Sequence, residues 1–260
     1  MSGSPCPIES WPDRLEAVAA TCAALRAVVV LRETASTQDH ARGCPPGTVV
    51  IAWRQTHGRG RRGRAWADTG ADGLAISINV PPSMPDRLAG CAAVAACEAV
   101  EQSALEAGGG IPAVRIKWPN DLWLEGRKLG GILIEQDDVR ATVGIGINVS
   151  QRSFPESIAR TATSLALAGF GVDRLDLACR LMQRIDAWMA ADPARMAHEY
   201  AARDALAGSR CSLSTPEGVI EGIVLRCDPL GGMRIRTSSG DRTLPAASTS
   251  VLASLDRASA

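Results

Sequence analysis

The pattern of apolar and polar positions predicts a mixture of strands and helices. Residues 48–54 form an apolar run that is typical of a buried strand, whereas residues 73–80 alternate between apolar and small or polar side chains. The large apolar side chains of the alternating segment share one face. They are Leu74, Ile76, Ile78 and Val80. An alanine-rich stretch from 85 to 107 ends at three glycines, which predicts a long helix and its end.

The same reasoning predicts the remaining elements of the first two hundred residues. Further helices are expected at 13–26, 175–190 and 193–206, an apolar stretch at 28–31, and further strands at 114–118, 128–136 and 140–150. Asp137 and Asp138 indicate a hairpin turn between the last two strands. In the final strand Gly144, Gly146 and Asn148 share a face, which leaves space for a ligand to approach the backbone.

The pattern changes at Ser209 to short apolar runs separated by turns. Strands are expected at 211–214, 219–227 and 233–237, which favours a small β-barrel-like module. The preceding part mixes hairpins with helices, so an α+β class fits better than a strict βαβ alternation. We therefore expect two domains, residues 1–207 and residues 208–260.

Composition excludes several classes of protein. The chain has 260 residues, with 28 Lys and Arg against 28 Asp and Glu, so it is not a globally basic nucleic-acid binder. We find no uninterrupted apolar run long enough to span a membrane and no signal pattern around Glu9 and Asp13. The eight cysteines are scattered and form no C-x-x-C pair, so we expect a reduced, cytoplasmic protein with neither disulfides nor a zinc site.

The segment from Arg54 to Trp66 contains the densest candidate chemistry. Its glycines let the backbone approach an anion, and its arginines can grip a carboxylate or a phosphate. Trp66 offers a stacking face. No apolar residue lies between His57 and Arg64, so a loop that becomes ordered with its ligand is expected. A solvated basic loop or an RGG-like nucleic-acid patch is the alternative interpretation.

Three further segments contain polar groups at strand or helix ends. Lys117 and Asp121 flank a Pro-Asn turn, which could equally be an ordinary surface turn. Lys128 precedes two glycines and suits a developing negative charge, although an exposed lysine at a strand end is common. Ser36 or Thr37 could cap a helix or hydrogen-bond a polar ligand ring.

Five motifs occur in order from residue 36 to residue 148, and together they resemble the biotin–protein ligases, also called biotin–[acetyl-CoA-carboxylase] ligases. The motifs are S-T-Q, G-R-G-R-R-G-R-A-W, K-W-P-N-D, K-L-G-G-I-L and G-I-G-I-N. The C-terminal module matches the family's SH3-like domain in position and length. His57 and Gln38 depart from the residues frequent in the family, Ala and Asn, which affects details of the pocket. The short N-terminus resembles the ligase-only form, without a DNA-binding domain.

The resemblance implies a fold and an activity. The fold would be a mixed sheet flanked by helices, as in class II aminoacyl-tRNA synthetases, followed by the SH3-like barrel. The activity would use ATP with Mg²⁺ to convert biotin to biotinyl-5′-adenylate, and would then transfer biotin to a lysine of a biotin carboxyl carrier domain. The chain would act as a monomer or homodimer, without DNA or a membrane.

The resemblance also implies the site residues. The catalytic ones would be Lys128, Arg59, Asp121 and Lys117. Biotin would contact Ser36, Thr37, Gln38, Gln55, Arg59, Gly60, Arg61, Lys128, Gly130 and Gly131. ATP or the adenylate would contact Arg61, Arg64, Trp66, Lys117, Asn120 and Asn148. Asp121 fits either a magnesium-linked role or assistance to the incoming amine, and no metal ligand is otherwise assigned.

Two alternatives predict different behaviour. A lipoate or octanoate ligase would use related carboxyl or acyl chemistry, but is expected to have a different basic loop. A non-catalytic nucleic-acid-binding protein would use the Arg/Gly segment, bind in a salt-sensitive manner and consume no ATP.

Overall fold

The computed structural model describes residues 6–254. The helices are α1 Trp11–Ala19, α2 Thr37–Arg42, α3 Pro85–Glu106, α4 Arg174–Ala190 and α5 Pro193–Ala202. The first strands are β1 Ala27–Thr34, β2 Thr48–Gln55, β3 Gly58–Arg59, β4 Ala65–Trp66, β5 Gly73–Val80, β6 Arg115–Lys117, β7 Asp121–Leu124, β8 Arg127–Gln136 and β9 Ala141–Asn148. The last strands are β10 Arg210–Thr215, β11 Gly218–Asp228, β12 Gly232–Thr237, β13 Gly240–Leu244 and β14 Ser250–Ser254.

A seven-stranded mixed sheet organises the larger part of the chain. Its strand order is β1-β2-β5-β9-β8-β7-β6. β1 and β2 are parallel, and every other neighbouring pair is antiparallel. The central register pairs Ile76 with Ile145 and Ile145 with Ile132. The predicted α+β class with a mixed sheet is confirmed.

The two faces of the sheet have different neighbours because side chains alternate along each strand. Ile76, Ile78 and Ile147 belong to a buried core that also includes apolar side chains of α3 and α4. Short helix α2 packs instead against β2, β5 and β9, where its Gln38 lies over Gly144. The face that carries small and polar residues is therefore the one beside α2.

Helix α3 is the core helix of this arrangement. Its 22 residues are long and apolar enough to cross a membrane by length and composition alone, but 72% of the relevant window is buried inside the structure. It packs against α4 and α5. Burial of this kind is typical of a helix in the core of a folded domain.

The C-terminal residues form a second, five-stranded antiparallel sheet. Its order is β13-β12-β11-β10-β14, and its buried side chains include Leu213, Val224 and Ile235. This sheet agrees with the expected SH3-like module. Sequence periodicity predicted β10, β11 and β12 but not β13 or β14. Those two strands are only five residues each and are recognised by their pairing.

Some element boundaries differ from the predictions. The expected helix 13–26 begins at Trp11 and ends at Ala19, because the N–H groups of Ala23 and Ala24 donate to Asp186 instead of continuing the helix. The expected loop at 57–64 is a small hairpin in which β3 and β4 are joined by a tight turn, where Arg62 has a left-handed backbone with φ of 56°. Residues 6–254 contain no disulfide.

Candidate active site

A cavity of about 250 Å³ opens on the face of the sheet beside α2. It is lined by the predicted site residues with the exceptions of Gly130 and Asn148. These residues come from β2, the β3–β4 hairpin, the β6–β7 turn, β8 and the start of α2. The fold therefore brings four of the five motifs to one cavity through their side chains. The fifth, on β9, contributes Gly144, Ile145 and Gly146.

Gly130 and Asn148 lie outside the lining for identifiable reasons. A Cβ on Gly130 would lie 2.6 Å from the carbonyl oxygen of Gly146, so this glycine permits close approach of β8 and β9. The amide of Asn148 is buried and donates to the Thr163 carbonyl at 2.9 Å. Both residues brace the backbone behind the cavity.

A buried hydrogen-bond network forms the polar floor of the cavity. The N–H and the hydroxyl of Thr37 both approach Gln55 Oε1, at 2.9 and 3.0 Å. The Thr37 and Ser77 hydroxyls lie 2.9 Å apart, and Ser77 donates to Gln38 Oε1 at 3.1 Å. Gln38 Nε2 in turn donates to the Thr142 carbonyl at 3.0 Å. Such a network holds its donors and acceptors in fixed directions toward a polar ligand.

Ser36 has the capping role that was the alternative interpretation of its motif. Its hydroxyl accepts from the Asp39 N–H at 3.4 Å, at the N-terminus of α2. It also lines the cavity. The capping contact thus orients the start of α2, which carries Thr37 and Gln38.

The glycine face of β9 admits two large side chains. A Cβ on Gly144 would collide with Gln38 Oε1, and one on Gly146 would lie 2.9 Å from the Trp66 ring. Trp66 therefore packs its ring directly on the backbone of β9. The sequence predicted open space at these glycines, and the structure shows that side chains of the site occupy part of it.

Lys128 and Asp121 form the charged pair of the cavity. Lys128 Nζ lies 2.7 Å from Asp121 Oδ1, and Lys128 Nζ is also 5.7 Å from the centroid of the Trp66 ring. β7 and β8 place them together, because Asp121 pairs with Gly131. Lys117 Nζ, on β6, lies 4.2 Å from the centroid of the Trp123 ring on the adjacent strand β7. The cavity therefore holds an ammonium beside an aromatic face and a carboxylate.

The β3–β4 hairpin is tied to the C-terminal sheet through two arginines. Arg61 donates to Asn120 Oδ1 at 3.3 Å and to the Ala246 carbonyl at 2.7 Å. Arg62 donates to the Ala247 carbonyl at 3.3 Å and to the Ser250 hydroxyl. Burial, together with the neighbouring Arg62 charge, lowers the pKa of Arg61, which remains protonated near neutral pH. The hairpin is thus closed by polar contacts rather than by an apolar core.

The glycine face of β9 lines the cavity as the sequence predicted, through Gly144 and Gly146. Sequence reasoning missed several other lining residues, which are Arg62, Ala65, Ala75, Ile76, Ser77, Trp118, Pro119, Ile132, Leu133, Ile145, Ser250 and Val251. Ser77 could have been found, because it lies on the polar face of an alternating strand that pairs with the glycine strand. Ser250 and Val251 carry no local signal, since their position depends on how β14 packs.

We expect Arg62→Ala to loosen the hairpin. Loss of its contacts with Ala247 and Ser250 should cost about 1 kcal/mol, because Arg62 is exposed and solvent weakens charged contacts there. Amide hydrogen exchange of residues 57–66 should then accelerate about fivefold, measured by mass spectrometry. Arg242→Ala, which removes an exposed ion pair with Glu217, is the matched control. Unchanged exchange in Arg62→Ala would show that the Arg62 contacts with Ala247 and Ser250 do not hold the hairpin.

Comparison with known proteins identifies the family. Residues 27–151 match the Biotin/lipoate A/B protein ligase family. A biotin–[acetyl-CoA-carboxylase] ligase of Mycobacterium tuberculosis is 36% identical over 210 residues, which cover 75% of this chain and 78% of that protein. The chain belongs to the biotin protein ligases. A second such ligase, from Paracoccus denitrificans, is 30% identical over 241 residues, covering 84% of this chain and 98% of the relative.

Solved biotin protein ligases have the same fold. The Aquifex aeolicus enzyme in complex with biotin and ATP superposes with a TM-score of 0.76 at 28% identity. The match covers 87% of this chain and 99% of that one. The chain therefore has the fold of the biotin protein ligases.

Proposed function

We propose that the chain uses ATP to convert biotin to biotinyl-5′-adenylate and then transfers biotin to a lysine of a biotin carboxyl carrier domain. The observation that carries the proposal is the cavity. In it, the hydrogen-bonded polar floor meets a set of lysine and arginine side chains, here called the cationic rim. The names of the Mycobacterium tuberculosis and Paracoccus denitrificans ligases and of the Aquifex aeolicus complex support this substrate class. Nothing in the cavity favours the lipoate or nucleic-acid alternatives.

The polar floor suits the ring end of biotin. Thr37, Gln55 and Ser77 present hydroxyl and amide groups that are already oriented by one another. A fixed set of donors and acceptors recognises a polar ring without reorganising. Gln38, where family members frequently have Asn, reaches across Gly144 and shapes the same wall. We propose that this floor determines which carboxylic acid is accepted.

The cationic rim suits the first chemical step. A biotin carboxylate oxygen bonds to the α-phosphorus of ATP, and pyrophosphate leaves. Two anions must approach one another, so positive groups that face the developing charge lower the barrier. The cations that line the cavity are Arg59, Arg61, Arg62, Arg64, Lys117 and Lys128. We propose Lys128 at the reacting carboxylate, because its ammonium lies within the cavity at the start of β8.

Trp66 supports a nucleotide site beside the reacting groups. Its ring lies on Gly146 and close to the Lys128 ammonium, and one side of the indole can stack on a base. Asn148 was expected to contact the nucleotide directly. Its amide is engaged with Thr163, so we propose that it positions the segment after β9 on the nucleotide side.

Asp121 is the only carboxylate among the described residues that line the cavity. The described residues contain no cluster of three His, Cys, Asp or Glu side chains that could hold a metal by themselves. Magnesium usually binds through one or two carboxylates and substrate phosphates, so Asp121 fits Mg²⁺ that arrives with ATP. The same carboxylate could instead accept a proton from the incoming lysine. In both roles its contact with Lys128 must rearrange.

We also propose a cellular location, a macromolecular partner and an oligomeric state. We propose a cytoplasmic location, since carrier domains and ATP meet there and the chain uses its cysteines without disulfides. The macromolecular partner is a biotin carboxyl carrier domain rather than DNA or a membrane. The chain acts as a monomer or homodimer.

The deciding experiment is biotin-dependent exchange of radiolabelled pyrophosphate into ATP, with Mg²⁺ and the purified protein alone. We expect exchange with biotin and none with lipoate. Exchange with lipoate alone would indicate a lipoate ligase. Exchange with neither acid in a folded sample would reject the proposed function, and salt-sensitive binding to nucleic acid would then favour the non-enzymatic alternative.

A further inference from the structure

We propose that Asp39 and Glu135 are positioning residues that orient the Arg59 guanidinium toward the anionic group of the ligand. The proposal rests on the proposed function, in which Arg59 faces the biotin carboxylate or a phosphate. Arg59 Nη2 lies 2.7 Å from Asp39 Oδ1 and 2.8 Å from Glu135 Oε2. One nitrogen of the guanidinium thus contacts both carboxylates.

The three residues come from three separate elements. Arg59 ends β3 in the hairpin, Asp39 lies in the first turn of α2, and Glu135 lies near the end of β8. The hairpin offers few apolar side chains, so packing alone does not fix the direction of Arg59. The two carboxylates supply a fixed anchor for it on the body of the domain.

The anchored guanidinium leaves one buried donor for the ligand. Arg59 Nε is buried and has no hydrogen-bond partner among the described residues, and Arg59 lines the cavity. A guanidinium is planar, so fixing Nη2 also fixes the direction of the Nε–H group. Because Nε is covered, a carboxylate or phosphate oxygen satisfies that donor only when the atoms over it move aside as the ligand binds. The anchor therefore fixes the direction of the Nε–H group before an anion arrives, and the unsatisfied donor favours its arrival.

The same carboxylates also act on ligand binding through their charge. Arg42 Nη2 lies 3.1 Å from the same Glu135 oxygen. The positive charges of Arg42 and Arg59 therefore balance the negative charges of the two carboxylates. Negative charge beside Arg59 weakens its attraction for an anion, whereas correct orientation strengthens the contact. The two effects have opposite signs. We expect the effect of orientation on anion binding to exceed the effect of charge.

Two substitutions at Glu135 separate orientation from charge. Glu135→Ala removes the anchor and the charge, and it should raise the KM for biotin in pyrophosphate exchange about tenfold, with a smaller change in kcat. Glu135→Gln removes the charge but keeps an acceptor, so its KM should stay within about twofold of the wild type. If both variants instead lower the KM, charge dominates and the proposal is overturned.

Arg42→Ala is the matched control. It removes the other partner of Glu135 but leaves the contact with Arg59, so the KM should be unchanged. An increase equal to that of Glu135→Ala would assign Glu135 to a structural tie between α2 and β8. Asp39→Ala and Asp39→Asn should repeat the Glu135 pattern, because Asp39 contacts the same nitrogen.

A double-mutant cycle with Arg59→Ala completes the test. If Glu135 acts through Arg59, adding Glu135→Ala to Arg59→Ala should raise the KM no further. An equal increase in both backgrounds would reject the positioning role. Absence of exchange in the wild type would reject the proposed function, whereas normal wild-type exchange with an unchanged KM in Glu135→Ala would reject only this inference.

Discussion

Lys128→Ala should reduce the rate of biotin-dependent pyrophosphate exchange about a hundredfold, because it removes a cation from the position where we propose that negative charge develops. The Lys128 ammonium lies in the cavity, 2.7 Å from Asp121 Oδ1. Its backbone contacts with Thr161 and Thr163 do not involve the side chain, so β8 should stay in place. The melting temperature should therefore change little while exchange falls.

The neighbouring Arg127 provides a matched control for charge. Arg127→Ala removes a cation from the same strand end, where its contact with Glu125 is 3.8 Å long, and it does not line the cavity. Its exchange rate should stay within about twofold of the wild type. Near-normal exchange in Lys128→Ala would remove Lys128 from the catalytic residues.

Part of the loss of exchange in Lys128→Ala could arise from Asp121, because its carboxylate would remain in the cavity without a neighbouring cation. The double variant Lys128→Ala with Asp121→Asn distinguishes the two causes, because it also removes the carboxylate charge. If Lys128 acts on the substrate, the double variant should recover little exchange. Recovery to near the wild-type rate would show that Lys128 serves only to neutralise Asp121.

Sequence periodicity predicted the parts of the fold that depend on local patterns. The alternation from Leu74 to Val80 determines which face of β5 is buried, because a strand has a side-chain period of two. The glycines of β9 likewise predicted which face of that strand lines the cavity. The alanine-rich α3 agreed within one residue of its expected end. Each of these patterns lies within one strand or helix, so it can be recognised without knowing how the rest of the chain folds.

Other features depend on contacts between distant parts of the chain. β7 is only four residues long, and its first residue is the Asp121 that the sequence placed in a turn. The end of α1 depends on Asp186 in α4, which no pattern near residue 20 reveals. Strand pairing and packing decide such boundaries, and they override local propensity.

In the candidate site, too, local motifs predicted some features, and contacts between distant parts of the chain decided the others. The motifs predicted which residues line the cavity, because their residue types are chemically distinctive. They did not predict that Arg59 is held by Asp39 and Glu135, or that Ala246 and Ser250 meet the hairpin. Those partners are separated from the hairpin by between twenty and nearly two hundred residues and have ordinary side chains. Only the folded arrangement makes them part of the site.

Arg174→Leu should lower the free energy of unfolding by about 2–3 kcal/mol, because two strand-end carbonyls lose their buried donor. Arg174 is 5% exposed, and its guanidinium lies 4.1 Å from the Trp53 ring centroid and 5.1 Å from that of Trp11. It donates to the Trp53 and Gly73 carbonyls at 3.1 and 3.0 Å. Burial lowers the pKa of Arg174 to about 10, so leucine also relieves a desolvation cost, which limits the net loss.

Urea unfolding measures this loss, and a shifted midpoint with an unchanged slope would show that stability alone has changed. Arg180→Leu, on the exposed side of α4 with a 2.6 Å ion pair to Glu106, should cost less than about 1 kcal/mol. Arg174→Lys keeps the charge but not the planar fork, so we expect an intermediate loss. Because Arg174 joins β2 and β5 at the ends that lead to Gln55 and Ala75, its loss should also weaken biotin binding. Equal stabilities of Arg174→Leu and Arg180→Leu would mean that the buried guanidinium does not hold these strand ends together.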